Sequence, residues 1–270
     1  MSLYSHLECT HCNKHFDKNQ INNYCPECLQ PLVAKYLLNP NISKSVILTG
    51  RYDMWRYSAV LPVENESCKI TLGEGWTPLL DLQKTSARFD VNRVLMKEEG
   101  LNPTGSFKAR GIGMAVSKAK ELGIRSFCIP TAGNAGSALA AYVAVSDGEA
   151  HIYMPEATPR VFQLDCEVMG ARVTKVKGSI RDAGLAMAKD NVDGQWWDIT
   201  TLKEPFRLEG KKTMGYEIAE QMNWKLPDVI MYPTGGGTGL IGIWKAFQEM
   251  LIMGWVEHIP TCMVAVQTKV

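Results

Sequence analysis

From Val91 onward the chain repeats a single cycle: a short run with strand character, a loop rich in glycine or proline, then a stretch with apolar residues at helical spacing. The strand-like runs are Val94–Met96, Ser126–Pro130, Ala150–Met154, Arg172–Val176, Asp228–Tyr232 and Met263–Val266. Helices are expected after Ser106, from Ser137, over 160–169, over 179–189, over 208–222 and over 240–251. Strands separated by helices cannot pair as hairpins. Each crossover returns the next strand parallel to the last. The expected fold is therefore α/β, with parallel-rich sheets covered by helices on both faces. At 270 residues the chain can form one large domain or two modest ones.

Three of the loops in this cycle have chemical character. In the first, Asn102-Pro103-Thr104-Gly105 is turn chemistry, and the helix that follows opens near Lys108 with Ser106 as its expected cap. A lysine in a first helical turn lies among unpaired N–H groups and a positive dipole end, which favour the neutral amine. A neutral lysine amine condenses with aldehydes. In the second loop, Thr131-Ala132-Gly133-Asn134-Ala135-Gly136, small residues flank Asn134, so that its amide can meet a planar ligand. In the third, Pro233-Thr234-Gly235-Gly236-Gly237-Thr238-Gly239, adjacent glycines let backbone N–H groups converge at a helix start, a cradle suited to phosphate. The loop has neither the Gly-Lys-Ser/Thr of a P-loop nor the dinucleotide glycine spacing.

The eight cysteines divide into two sets. Cys9-x2-Cys12 and Cys25-x2-Cys28 supply four thiolates at the spacing of a structural zinc knuckle, with His11 and His15 expected as solvated neighbours. Cys68, Cys128, Cys166 and Cys262 are expected to be small buried hydrophobes. Lys and Arg number 29 against 28 Asp and Glu, which gives no field for nucleic acid or membrane. No apolar run reaches the ~20 residues of a membrane span. The N-terminus lacks a basic region followed by an apolar core, so a cytoplasmic location is expected.

Together these loops, with Leu72–Leu79 and Glu204–Thr213, resemble the fold-type II pyridoxal-phosphate (PLP) enzymes, and among them the threonine synthases. The likeness covers residues from about 36 to the C-terminus. It implies a tryptophan-synthase-β-like fold of two α/β domains. The expected organisation is a zinc-ribbon-like segment at 1–35 and a catalytic region at 36–270. Within the latter, a smaller domain at about 103–205 is inserted into a larger one made of 36–102 and 206–270, incomplete at the C-terminus. The resemblance also implies roles. Lys108 would hold PLP and move substrate protons. Asn134 would contact the ring hydroxyl oxygen, and Gly235, Gly236, Gly237, Thr238 and Gly239 would bind the cofactor phosphate. Arg207 would receive a substrate phosphate. Thr131 or backbone N–H groups would serve the substrate carboxylate, because Ala132 stands where many relatives carry a hydroxyl. The implied reaction converts O-phospho-L-homoserine and water to L-threonine and phosphate, in a homodimer with structural zinc. Cysteate synthase or a threonine/serine dehydratase is the alternative activity. The non-enzyme alternatives are a truncated, inactive remnant and a zinc-ribbon interaction protein.

Overall fold

The computed structural model describes residues 2–260 and 262–267. Its centre is a four-stranded, fully parallel sheet of order β8-β7-β6-β9, built from β6 (Ser126–Pro130), β7 (Glu149–Pro155), β8 (Arg172–Val176) and β9 (Trp197–Asp198). Alternation along the strands sorts the side chains onto two faces. Phe127, Ile129, Ile152 and Met154 join the main core with α3 (Asn134–Ala144), while Cys128 and Tyr153 meet Ala183 and Met187 of α5 (Ile180–Asp190) on the other face. Helix α4 (Arg160–Val168) packs beside α3. Ser179 and Asp182 form a reciprocal capping box at the start of α5, which fixes where that helix begins.

A second unit pairs β10 (Val229–Pro233) with β11 (Cys262–Val266) in parallel, with α6 (Phe206–Gln221) and α7 (Thr238–Ile252) packed together beside it. Its apolar core gathers Met214, Tyr216, Ile243, Phe247, Met250 and Trp255. Helix α2 (Lys108–Glu121) lies between the units, against both α3 and α6. Gly210 is required there, since a Cβ on it would stand 2.0 Å from the Arg110 carbonyl oxygen.

Several expectations need correction. Val94–Met96 does not enter a parallel sheet: β5 (Leu95–Lys97) pairs antiparallel with β4 (Leu79–Asp81) around the short helix α1 (Gln83–Phe89). The helix expected from Ser137 starts at Asn134. Strand β11, read as a central strand, has one sheet partner among the described residues, and Cys262 at its start is exposed rather than buried. Cys68, Cys128 and Cys166 are buried as expected.

The N-terminal segment is an antiparallel sheet of order β2-β1-β3, formed by β1 (Tyr4–Cys9), β2 (His15–Phe16) and β3 (Leu32–Tyr36). Tyr4, Leu7, Leu32 and Ala34 are continuous with the main core, so the body of the protein completes a segment too small to bury its own. Residues 39–66 form a strap of short 3-10 turns that includes Met54–Val60. Arg56 in this strap pairs with Glu220 of α6 at 2.6 Å.

Candidate active site

The sequence makes Lys108 the first residue of α2, and the turn before it is strained. Thr104 and Gly105 are both left-handed, at φ 60° and 67°, an uncommon state for a β-branched residue. Asn102 pins the turn. It donates to the Glu99 carbonyl at 2.9 Å and accepts the Gly75 N–H at 3.0 Å. The expected Ser106 cap is displaced: Phe107 occupies the cap position without a side-chain bond, and Ser106 Oγ accepts from the Lys108 N–H at 3.4 Å.

Behind the turn lies a buried ionic network. Arg110 is fully buried and donates to Glu99 at 2.7 Å, to both Glu217 oxygens at 2.5 and 2.8 Å, and to Thr213 at 2.9 Å. Lys97 reaches Glu217 at 2.7 Å. Burial pushes the Glu217 carboxyl up, but Arg110 and Lys97 outweigh it and hold the group at about 2. The network bolts the first turns of α2 to α6 and so fixes where Lys108 stands. None of its members was singled out in the sequence.

Lys108 and the glycine loop Gly235–Gly239 line one cleft, together with Phe107, Thr201, Lys211 and Tyr232. The Lys108 ammonium lies 3.8 Å from the centre of the Phe107 ring. Its pKa is lowered to about 8, first by burial and second by Arg207, so the dipole end expected from its position is not the leading cause. Gly237 is left-handed at φ 73° and caps α7, whose first turn starts at Thr238. A Cβ on Gly235 would meet nothing within 4 Å, whereas one on Gly236 would come within 2.9 Å of Thr201 and one on Gly239 within 1.9 Å of the Tyr232 hydroxyl oxygen. Space is thus open at Gly235, while glycine is required at Gly236 and Gly239, where a side chain would run into cleft-lining residues. That hydroxyl is buried without a partner. An open glycine cradle, a helix start, an orphaned hydroxyl and a lysine of lowered pKa fit PLP, whose phosphate needs N–H donors and whose aldehyde needs an unprotonated amine.

Arg207 and Thr131 sit outside the lining of this cleft. Arg207 is buried at the start of α6 and donates to the Ile199 carbonyl at 2.7 Å, while its Nε and Nη2 have no partner. Glu204 accepts the Phe206 and Arg207 N–H groups at 2.7 and 2.8 Å and is pushed to about 7, chiefly by burial. Thr131 is buried at the end of β6 and accepts the Gly133 N–H at 3.3 Å. Asn134 is exposed at the first position of α3, which packs on the Pro103–Gly105 turn leading to Lys108. Sequence reasoning missed Lys211, which is 2% exposed and donates to Thr238 Oγ1.

The four knuckle sulfurs all lie within 4.8 Å of one another, with Cys9–Cys28 at 3.4 Å and Cys12–Cys25 at 3.7 Å. A tetrahedral zinc with bonds of about 2.3 Å sets sulfurs about 3.8 Å apart, so the set fits that ion. Among the expected solvated histidines, His11 is exposed, and His15 lies 3.3 Å from Glu8.

A model of the pyridoxal-phosphate-dependent enzymes matches residues 70–270. The chain belongs to that family. Its architecture is fold-type II, and the family implies PLP as cofactor. The threonine synthase of Methanocaldococcus jannaschii is 35% identical over 256 residues, covering 93% of this chain and 63% of that protein. The threonine synthase of Methanosarcina acetivorans is 32% identical over 258 residues, with 94% and 63% covered. The chain thus spans somewhat less than two thirds of these curated relatives. A fungal L-serine ammonia-lyase from Rhizomucor miehei shares the fold with a TM-score of 0.60 at 24% identity, over 71% of this chain and 59% of that one. Maize serine racemase does so with a TM-score of 0.59 at 20% identity, over 68% and 54%. Among the described residues no helix is long and apolar enough to cross a membrane.

Proposed function

We propose that the protein is a PLP-dependent synthase that converts O-phospho-L-homoserine and water to L-threonine and phosphate. The observation that carries this reading is a cluster of buried basic side chains around the cleft. Lys108, Lys211 and Arg207 influence one another electrostatically, and among the described residues none has a carboxylate within 4 Å. Buried charge without a counter-ion is costly, so such a cluster favours anionic ligands. The similarity to threonine synthases supports the choice of substrate.

In this reading the Gly235–Gly239 backbone and the start of α7 hold the cofactor phosphate, and Asn134 contacts the ring hydroxyl oxygen. PLP, when bound, supplies an electron sink for charge developing on substrate carbon. Lys108 Nζ holds the cofactor and carries protons to and from the substrate carbons; a lowered pKa suits it to both tasks near neutral pH. The unpartnered Nε and Nη2 of Arg207 bind the substrate phosphate, for which a planar charged fork is well shaped. Thr131 and the N–H groups at the start of α3 receive the substrate carboxylate. The division into a smaller domain at 103–205 and a larger one around it, structural zinc on Cys9, Cys12, Cys25 and Cys28, a cytoplasmic location and a homodimer belong to the same proposal.

The test is phosphate release with PLP present, comparing O-phosphohomoserine with phosphoserine plus sulfite. Release with threonine formed from the first supports the reading. Release only from the second reassigns the substrate. No release from either refutes a synthase of this class in this chain.

A further inference from the structure

The glycine cradle has a charged member that its sequence does not advertise. Lys211 projects from the second turn of α6 into the cleft formed by the Gly235–Gly239 loop, and its side chain is 98% buried, being only 2% exposed. Its ammonium donates to Thr238 Oγ1, on the first residue of α7. No carboxylate lies within 4 Å of it among the described residues, although its neighbours Lys212 and Lys245 share Glu209 and Glu249. The opposite side of Lys211 is closed: a Cβ on Gly111 would stand 2.9 Å from its Cε. The amine faces the cradle, with its stem packed close to Gly111 of α2. Its ring neighbour is Phe107, 5.4 Å away, which Lys108 also covers.

We propose that Lys211 is the charge partner of the cofactor phosphate, completing the glycine cradle with a cation. The inference deepens the cofactor site described above and rests on it. A neutral cradle of N–H groups and a helix dipole binds a dianion through partial charges alone. A buried ammonium adds a full charge in a medium where it is poorly screened. The same placement explains how a buried lysine is tolerated. Without an anion, burial first, then Arg207 and Lys108, lowers its pKa well below the ordinary value, and a bound anion would oppose that shift. Arrival of the phosphate dianion favours the ammonium.

The experiment compares PLP with pyridoxal, which has the same ring and aldehyde but no phosphate. Equilibrium binding to the full apo chain is measured for wild type, Lys211→Met and Lys211→Arg. A charge-assisted hydrogen bond lost from a buried site predicts a weakening of PLP binding by roughly 10- to 100-fold in Lys211→Met. Pyridoxal binding should stay within about twofold, and Lys211→Arg should restore most of the PLP affinity. Equal weakening of both ligands would assign Lys211 a merely structural role, and unchanged PLP affinity would remove it from the phosphate site; either overturns the proposal. These readouts are independent of turnover, so inactivity on O-phosphohomoserine would refute the proposed reaction without touching this one.

Discussion

Replacing Arg110 with Met should leave the protein folded but weaker, and the weakness should depend on pH in a direction opposite to ordinary acid sensitivity. Arg110 is fully buried and is the main cation on Glu217, itself fully buried. Met keeps the volume and removes the charge. Breaking one side of a buried ion pair costs about 3–5 kcal/mol, and Lys97, still 2.7 Å from Glu217, places this case at about 3. For a chain of this length that lowers the melting temperature by on the order of 10 °C at pH 7. The sign with pH follows from Glu217. In the wild type its folded pKa of about 2 lies below its ordinary 4.5, so its contribution is present above 4.5 and is lost as pH falls toward 2. That shift is worth ~3 kcal/mol, consistent with the ion-pair figure. In Arg110→Met the carboxyl loses its strongest stabiliser, and protonation relieves the buried charge. The gap between variant and wild type should therefore narrow as pH drops from 7 toward 4, by roughly 0.5–1 kcal/mol, because most of the wild-type contribution persists at pH 4 and is lost only toward 2. Urea titrations at pH 7, 5.5 and 4 measure it. A gap below about 1 kcal/mol, or one that stays constant across these pH values, would refute the reasoning.

Two further outcomes follow from the geometry. Because Lys108 is lowered to about 8, its neutral fraction is about a tenth at pH 7, half at pH 8 and nine-tenths at pH 9. The rate of PLP capture, followed by stopped-flow absorbance, should rise with pH and level off above 8; a rate still climbing tenfold per unit at pH 9.5 would mean an ordinary solvated lysine. Cys12→Ser should remove about one equivalent of bound zinc by elemental analysis and lower the melting temperature, because the knuckle shares its core with α2 and α3; a wild type that carries no metal after purification with zinc present would reject the site.

The parallel sheet and its helices were legible because each strand is bounded by glycine or proline and each helix keeps its apolar spacing. The strand expected at Arg172–Val176 has those bounds, and the helix expected over 179–189 is α5, which the Ser179–Asp182 capping box starts. A strand at Val94–Met96 was legible, close to β5, but its antiparallel pairing with β4 was not: the three-residue β4 is half-exposed and carries no periodic signal, so only its tertiary partner identifies it. The N-terminal sheet was hidden behind its cysteines, whose spacing states the metal chemistry but not that Leu7 and Ala34 belong to the main core.

Helix α6 shows why part of the site escaped. Its sequence, FRLEGKKTMGYEIAEQ, is polar enough for a surface helix, yet residues 206–219 are all buried. A moderately polar helix in a core must answer each charge with a partner. Glu209 has Lys212 and Lys245; Glu217 has Arg110 and Lys97; Lys212 also has Glu249. Arg207 and Lys211, four residues apart and therefore on one face, are left without a carboxylate within 4 Å among the described residues. Spacing within α6 cannot separate these two from the paired charges, because the deciding partners come from α2, β5 and α7. What separates them is the pairing that remains: neither has a carboxylate within 4 Å among the described residues, Glu204 acts on both at longer range, and under the proposed function this is where an anion would bind. On that criterion α6 divides into a structural face, closed by ion pairs, and a face whose basic groups the proposed function would pair with an anionic ligand.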